Sequence, residues 1–398
     1  DEEENENTEE SQDEQEGGFI SSESLQESLD EGSEVTVYST GTVSGSESVD
    51  SEDGLTVIEN AEDTSVLENI LPSGGSVVGG EAQISESGDT LTITQGTDRA
   101  AINWQRFSIG EDNTVRFRQP SSEAAMLNRV VGGNPSRIMG SLIANGRIFL
   151  VNPNGVLFGS NSVVNVGSLV ASTLDIAVDD FMAEALNAQG DSMAELISEG
   201  RINVGEYGDS DGADNEGTAG NSAPSPAPFV ALLGQRIEQS GDINADGGTV
   251  DLAAGSEIRM ALSDEGMDVT VEAGADKASV EQSGNITASG GQVSLQARSD
   301  DEAQPSQITQ SGSIDVSSAT GAGGSVVLDA DQITLTQEAQ ITASSVLQQS
   351  DGVDLVVEAP AEPTAESAEL SAPTAETAAI EPSRSGGDIA LQALRSMS

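Results

Sequence analysis

The 398-residue chain contains no cysteine and no histidine. Disulfides are therefore excluded, as are zinc sites built on thiolate or imidazole and Cys–His or Ser–His catalysis. Basic residues are scarce: 14 Lys and Arg stand against 69 Asp and Glu, for a formal net charge of -55. Nucleic acid and anionic lipid are excluded as partners, because both are held through Lys and Arg contacts to phosphate. Aromatic residues make up 3% of the chain. No apolar run approaches the ~18 residues of a membrane span, so membrane insertion is not expected. Glycine, by contrast, occurs 44 times. A sandwich core needs more large side chains than this. A slender core of Val, Ile, Leu and Ala does not, and the composition leans towards a solenoid. The acidity is read as solubility. The chain starts at Asp1 rather than Met, so a leader is expected to have been removed.

Residues 1–70 hold 23 acidic residues and no basic one. Such a segment cannot bury enough apolar surface to offset its chain entropy. It is expected to be a disordered acidic extension, with transient strands at VTVYST and LTVIEN. From residue 71 apolar and polar residues alternate between turn signals, as in Leu91-Thr92-Ile93-Thr94 and Val115-Arg116-Phe117-Arg118. The run from Leu127 to Ile176 is broken by Asn-Gly, Asn-Pro and Gly-Gly turns, which predicts many short strands. Seven of the 14 basic residues fall between Arg99 and Arg147, a local positive zone.

Between Ala177 and Gly200, Asp179 and Asp180 are placed to cap a short helix carrying Phe181, Met182 and Leu186. Met193 to Ile197 reads as a second helical turn. Residues 205–228 form an acidic, Gly- and Pro-rich loop. Its Asp209, Asp211, Asp214 and Glu216 suggest a calcium loop, but Ala213 takes the third ligand place, so no metal is expected.

The second half repeats itself. IEQSGDINADGGTVDLAA (237–254) recurs as VEQSGNITASGGQVSLQA (280–297) and ITQSGSIDVSSATGAGGSVVLDA (308–330), with weaker echoes at 335–345 and 385–393. In each copy a polar Gln-Ser-Gly turn precedes a strand with one inward aliphatic residue: Ile243, Ile286 or Ile314. A Gly-Gly corner follows, then a strand with alternate aliphatics: Val250 and Leu252, Val293 and Leu295, Val326 and Leu328. Three such strands make one coil of a parallel β-helix, in which like residues stack at about 4.8 Å. An antiparallel sandwich fits less well, since it does not explain why each residue type returns to the same place in every copy. After Ser345 the pattern gives way to an Ala-, Pro- and Glu-rich tail, a stiff linker composition.

AAINWQRFSIG, MLNRVVGGNPSRIMGSL, NGRIFLVNPNGVLFG, VNVGSLVASTLDI and FVALLGQRIEQSG occur in that order. Residues 71 to about 345 thereby resemble the secretion domain of the filamentous haemagglutinin family, the exported partner of two-partner secretion. The resemblance implies an all-β fold: a right-handed parallel β-helix with an N-terminal β cap, here with a short helical insertion. The implied division is an acidic extension at 1–70, a capped secretion domain at 71–265, further repeats at 266–346 and a tail at 347–398. It implies export through the periplasm to the cell surface, after recognition by the polypeptide-transport-associated domains of an outer-membrane transporter. A surface adhesin, haemagglutinin-like or biofilm matrix protein, monomeric and binding a host or matrix receptor, is then expected. The stalk of a contact-dependent toxin and a haem-scavenging exoprotein are the alternatives.

The family's Asn-Pro-Asn-Gly motif maps onto Asn152, Pro153, Asn154 and Gly155. The second Asn-Pro-Asn-Leu motif and the Cys-x-x-Cys pair of one branch are missing, which assigns the chain to the other branch. Pro153 fixes its φ and Asn154-Gly155 suits a tight turn between Ile148–Val151 and Val156–Phe158. This turn, with Asn128, Arg129, Asn134 and Pro135, is the candidate transporter-recognition motif. The single Trp104 is read as a cap or core anchor. No catalytic residue, cofactor or metal is expected. A β-helix lyase needs Asp with Lys or Arg on one face, yet Lys277 is the only lysine and the repeats turn Ser, Thr, Gln and Gly outward.

Overall fold

Alternating apolar residues in strands of three to six residues can bury their side chains only if the chain coils and stacks, and it does. The computed structural model describes residues 70–205, 227–263, 266–301, 303–318 and 323–344, with the backbone of Leu355–Val357 and Ile389–Ala393. Residues 1–69 of the expected extension at 1–70, the acidic loop around Asp209–Glu216 and most of the tail at 347–398 lie outside the described residues. Strands Ser136–Ile138, Ser141–Ala144 and Arg147–Val151 make the first complete coil, one strand on each of three sheets. Val156–Phe158, Val163–Val166 and Ser168–Ser172 make the second. The same order recurs as far as Gln332–Leu335 and Gln340–Thr342. Successive coils pair in parallel, giving first, second and third sheets of 7, 10 and 11 strands. The fold is the expected parallel β-helix.

The register places like on like. Ile243 pairs with Ile286, Ile286 with Ile314 and Ile314 with Ile341. Val250, Val293 and Val326 form one column of the third sheet, and Leu252, Leu295 and Leu328 another. Each of these ten residues except Ile341 is at most 1% exposed. Burying one such side chain contributes about 1.5–3 kcal/mol, gained only when the neighbouring coil is present. The echo near the C-terminus follows the same rule: Ile389–Ala393 pairs in parallel with Ser325–Ala330.

The N-terminal cap is built from the chain's own strands. Ser76–Gly79 runs antiparallel to Arg99–Trp104, and Ala82–Ser87 antiparallel to Thr90–Gln95, at the edges of the third and second sheets. Trp104 is 1% exposed beneath the cap, edge-on to Phe107 at 5.6 Å, and its indole N–H donates to Asn128 Oδ1 at 3.0 Å. It is a core anchor.

A second apolar layer covers the outer face of the third sheet. The insertion after Ser172 supplies the helix Val178–Met182 and the strand Asn187–Gln189, which pairs antiparallel with the hairpin Glu257–Ser263/Gly266–Ala273. Phe149, Phe181, Ile258 and Met267 meet there. Three expectations are corrected here. The helix is capped by Ala177 without a side-chain bond, and Asp179 and Asp180 sit in its first turn instead. Met193 to Ile197 is not helical: Glu195–Ser198 is a strand, because Leu196 takes its place in the column between Val156 and Ile237. The outward residues of Thr249–Ala254 do not all face water, since every residue of that strand is buried.

Asp251 is caught in this layer. It is 6% exposed, and its Oδ2 has no hydrogen-bond partner. Burial pushes its carboxyl well above the ordinary carboxylate range, Asp268 adds to the rise, and a hydrogen bond from Thr249 opposes it. The folded value lies above the unfolded ~3.9, so the protonated carboxyl favours the fold at low pH. That contribution is lost as pH rises through the folded value. Asp251→Asn is expected to raise the melting temperature at neutral pH and to flatten its decline above about pH 4. Thermal unfolding from acid to neutral pH checks this; equal slopes for the two proteins would contradict it.

Candidate functional site

The chain leaves the third sheet after Val151 and enters the first at Val156, so residues 152–155 must turn a corner while their polar groups go under cover. Asn152 accomplishes this with its side chain. It is 0% exposed; its Nδ2 donates to the Asn134 carbonyl at 2.9 Å and to Ser136 Oγ at 3.0 Å. Its Oδ1 accepts from the backbone N–H of Asn154 at 3.0 Å and from Asn154 Nδ2 at 3.0 Å. The Gly155 N–H donates to the Asn152 carbonyl at 3.1 Å, and the Ser136 N–H to the Gly155 carbonyl at 2.9 Å. Gly155 has φ +113°, which a side chain resists.

This corner is stacked on the previous one. A Cβ placed on Gly155 would lie 3.6 Å from Pro135 Cβ. Asn154, exposed, reaches across to donate from Nδ2 to the Gly132 carbonyl at 2.9 Å. On the other side the Ser192 hydroxyl donates to the Pro153 carbonyl. Asn134, Pro135, Asn152, Pro153, Asn154 and Gly155 are thus brought together, with Asn152 as the buried staple and Asn134, Pro135 and Asn154 exposed.

Asn128 and Arg129 do not join this group and point to opposite faces of the third sheet. Asn128 is 0% exposed and bonded to Trp104. Arg129 points outward, and its Nε and Nη2 each lie 2.6 Å from an oxygen of Asp175, tying the insertion to the coil. Ser136 and Ser192 complete the corner but carried no signal in the sequence, because a serine inside or beside a turn is too common to single out.

The surroundings are uneven in charge. On the outer face of the first sheet Arg137, Leu157, Ile197, Glu238 and Glu281 follow one another in register. Burial first, then Glu195 and Glu281, push the Glu238 carboxyl above its ordinary value. Among the described residues no group of three or more Asp or Glu could hold a metal ion.

Known proteins share this architecture. A family model described as TPS secretion domain matches residues 68–351. A heme/hemopexin-binding protein of Haemophilus influenzae strain Rd is 34% identical over 277 residues, 69% of this chain and 29% of its own length. A second Haemophilus influenzae protein of that name is 48% identical over 88 residues, 22% of this chain and 10% of its own. The chain therefore spans less than a third of the curated relatives it matches. The crystal structure of the HMW1 secretion domain from Haemophilus influenzae superposes with a TM-score of 0.54 and 26% identity, covering 69% of this chain and 74% of that one. In the stacked coils, the self-made N-terminal cap and this match over most of its length, the chain belongs to the TPS secretion domain family, whose exoproteins pass an outer-membrane transporter to reach the cell surface or medium.

Proposed function

We propose that residues 71–265 are the part gripped by the periplasmic domains of the transporter, through the Asn152–Gly155 corner, and that residues 266–346 continue the helix outward. The segments at 1–70 and 347–398 serve as acidic extension and linker. The observation that carries this reading is the division of labour within one turn: Asn152 is buried and holds the shape, while Asn154 is exposed beside Asn134 and Pro135. The periplasm lacks ATP. Folding outside the cell then supplies direction, since each coil that stacks adds buried area and ladder hydrogen bonds and opposes back-sliding. A chain without cysteine threads through a pore with no cross-link to hold it.

The exported protein acts at the surface as an adhesin or biofilm matrix component that binds a host or matrix receptor. It is a binding protein rather than an enzyme. A second reading, haem or haemopexin capture, is favoured by the name both curated relatives carry. These 398 residues offer no imidazole or thiolate to haem iron, so on that reading capture by this segment falls to methionine or tyrosine ligands or to a surface for the carrier protein. Secretion measured for Asn154→Ala and Pro153→Ala tests the export reading. Both are expected to lower the amount of protein released while the melting temperature of purified protein changes little; unchanged release would contradict recognition at this corner.

A further inference from the structure

We propose that a cleft at the corner where the third sheet passes to the first binds one sugar acid, with Lys277 meeting its carboxylate and Ser279, Gln304 and Gln307 meeting its hydroxyls. The proposal deepens the surface-binding reading above, on which it rests, by naming the chemistry of the receptor. The cleft has a volume of about 410 Å³ and lies between two successive connections. One runs from the hairpin strand Gly266–Ala273 to Ser279–Gln282, the other from Gln292–Ala297 to Gln307–Gln310. Arg236, Ser279 and Gln307 follow one another in register along the outer face of the first sheet and line it side by side. Lys277 is the only lysine of the chain. Its φ is +60°, a left-handed conformation that a turn ordinarily gives to glycine or asparagine. Glu184 is the one other non-glycine residue of positive φ among the described residues, and it is ion-paired with Arg99. Lys277 forms no ion pair among the described residues. A strained residue kept without a partner inside the chain is explained by a ligand outside it.

The lining groups select the ligand. Two carboxylates near the ammonium are already engaged: Asp300 Oδ2 accepts from the Gly274 N–H at 3.1 Å, and Asp301 accepts from the Ala303 N–H at 2.8 Å and from Gln304 Nε2 at 3.2 Å. Arg236 is drawn the other way, to Glu195 Oε1 at 3.6 Å and to the Met193 carbonyl. One free ammonium matches one carboxylate. A polyanion does not fit, because Glu238 and Glu281 stand two residues beyond Arg236 and Ser279 on the same face, in a chain of net charge -55. The exposed Gln307 amide presents a donor beside an acceptor, Gln304 keeps its amide oxygen for a ligand, and Ser279 adds a hydroxyl. Such groups pair with the neighbouring hydroxyls of a sugar ring. Pro305 gives the C–H edge of the ring an apolar contact, and a cleft of this size holds the ring as well as its carboxylate.

Calorimetric titration of the full chain with glucuronate, glucose and succinate tests this. Glucuronate is expected to bind with a Kd of about 1 mM, and glucose and succinate about tenfold more weakly. An oligosaccharide ending in glucuronate should bind as well as the free acid; binding of the free acid alone would overturn the link to a surface glycan. Lys277→Gly is expected to melt close to the parent, because glycine takes φ +60° freely, yet to weaken glucuronate binding about tenfold. Lys277→Gln, which keeps most of the side chain's length, is expected to weaken it equally. Arg118→Gln, the same loss of charge at an exposed position of the second sheet, should change nothing. Lysine variants that fold and bind like the parent would overturn the proposal, and so would succinate binding as tightly as glucuronate. If the parent fails to bind glucuronate but still adheres to host cells or biofilm matrix, the cleft is wrong and the surface-binding reading stands. If it does neither, both are wrong.

Discussion

Asn152→Ala is expected to destabilise the protein by about 3–5 kcal/mol, far more than a polar residue in a turn ordinarily costs. Four hydrogen bonds at 2.9–3.0 Å end on this one amide, and all of them are lost. Ser136, itself 0% exposed, then keeps a buried hydroxyl without that donor. Leaving a buried polar group unpaired costs about 1–3 kcal/mol, and the corner contains several. Asn154→Ala removes two bonds from an exposed side chain and is expected to cost about 1 kcal/mol. Urea unfolding of the two variants separates them. Since Asn152 is out of reach of any partner, its effect on secretion must travel through the fold, and secretion of Asn152→Ala should follow its stability. Equal unfolding midpoints for parent and Asn152→Ala would refute the buried-staple account.

The second large effect lies at a glycine. Coils meet so closely where the first sheet passes to the second that a Cβ on Gly284 would stand 2.1 Å from the Gly241 carbonyl oxygen. The Ser240 carbonyl carbon is only 2.5 Å away. Gly241 stands in the same relation to Gly200 at 2.0 Å, and Gly312 to Gly284 at 2.0 Å. The obstructing atoms are backbone, so no rotamer relieves the clash. Gly284→Ala must spread two coils and lengthen ladder bonds on both sides, at an expected cost of at least about 3 kcal/mol. Gly133→Ala, where a Cβ meets nothing within 4 Å, is the control and should be nearly neutral. Because each coil is stabilised by its neighbours, Gly284→Ala is also expected to open a protease-sensitive point between residues 240 and 290 before the cap unfolds. Denaturation midpoints and limited proteolysis together check this.

The parts of the fold that were legible in the sequence are those where one residue type must return to one place. Ile243, Ile286 and Ile314 stack because each fills the same slot, and the repeat shows it directly. The second apolar layer was not legible. Its residues come from two insertions that do not repeat, and their partners are the outward positions of the third sheet, which a single strand's alternation assigns to water. One signal existed: the interval from the copy at 237 to the copy at 280 exceeds the next by 15 residues, and the hairpin Glu257–Ser263/Gly266–Ala273 occupies that excess.

Gln239, Gln282 and Gln310 read as turn residues, yet each is 0% exposed. Each donates its amide to a glycine carbonyl two residues on, and Gln282 also donates to Gln239 Oε1 at 3.0 Å. A long polar side chain can be buried when its amide N–H finds a carbonyl nearby, here at the cost of leaving Gln282 Oε1 and Gln310 Oε1 without a partner, and composition does not reveal that. Met193 to Ile197 went astray for a related reason. Five residues rich in Ala, Glu and Leu favour a helix locally, but pairing of Leu196 and Ile197 with the strands on either side outweighs that preference. At the candidate corner the motif was legible but its partition was not. Nothing in the letters of Asn-Pro-Asn-Gly distinguishes the asparagine that is buried from the one that faces outward.

The absence of cysteine allows the stacking register to be read chemically without background. Asn203 and Asn244 are partners on adjacent parallel strands, with Asn244 Nδ2 donating to Asn203 Oδ1 at 2.8 Å, and Thr287 lies one strand further on. Neighbouring strands are about 4.8 Å apart, within reach of a disulfide, and alternate strands are about twice that, beyond it. Oxidation of the folded Asn203→Cys/Asn244→Cys protein should cross-link it rapidly, and Asn203→Cys/Thr287→Cys should stay reduced. A cross-link in the second protein but not the first would mean that the coils do not pile in this order.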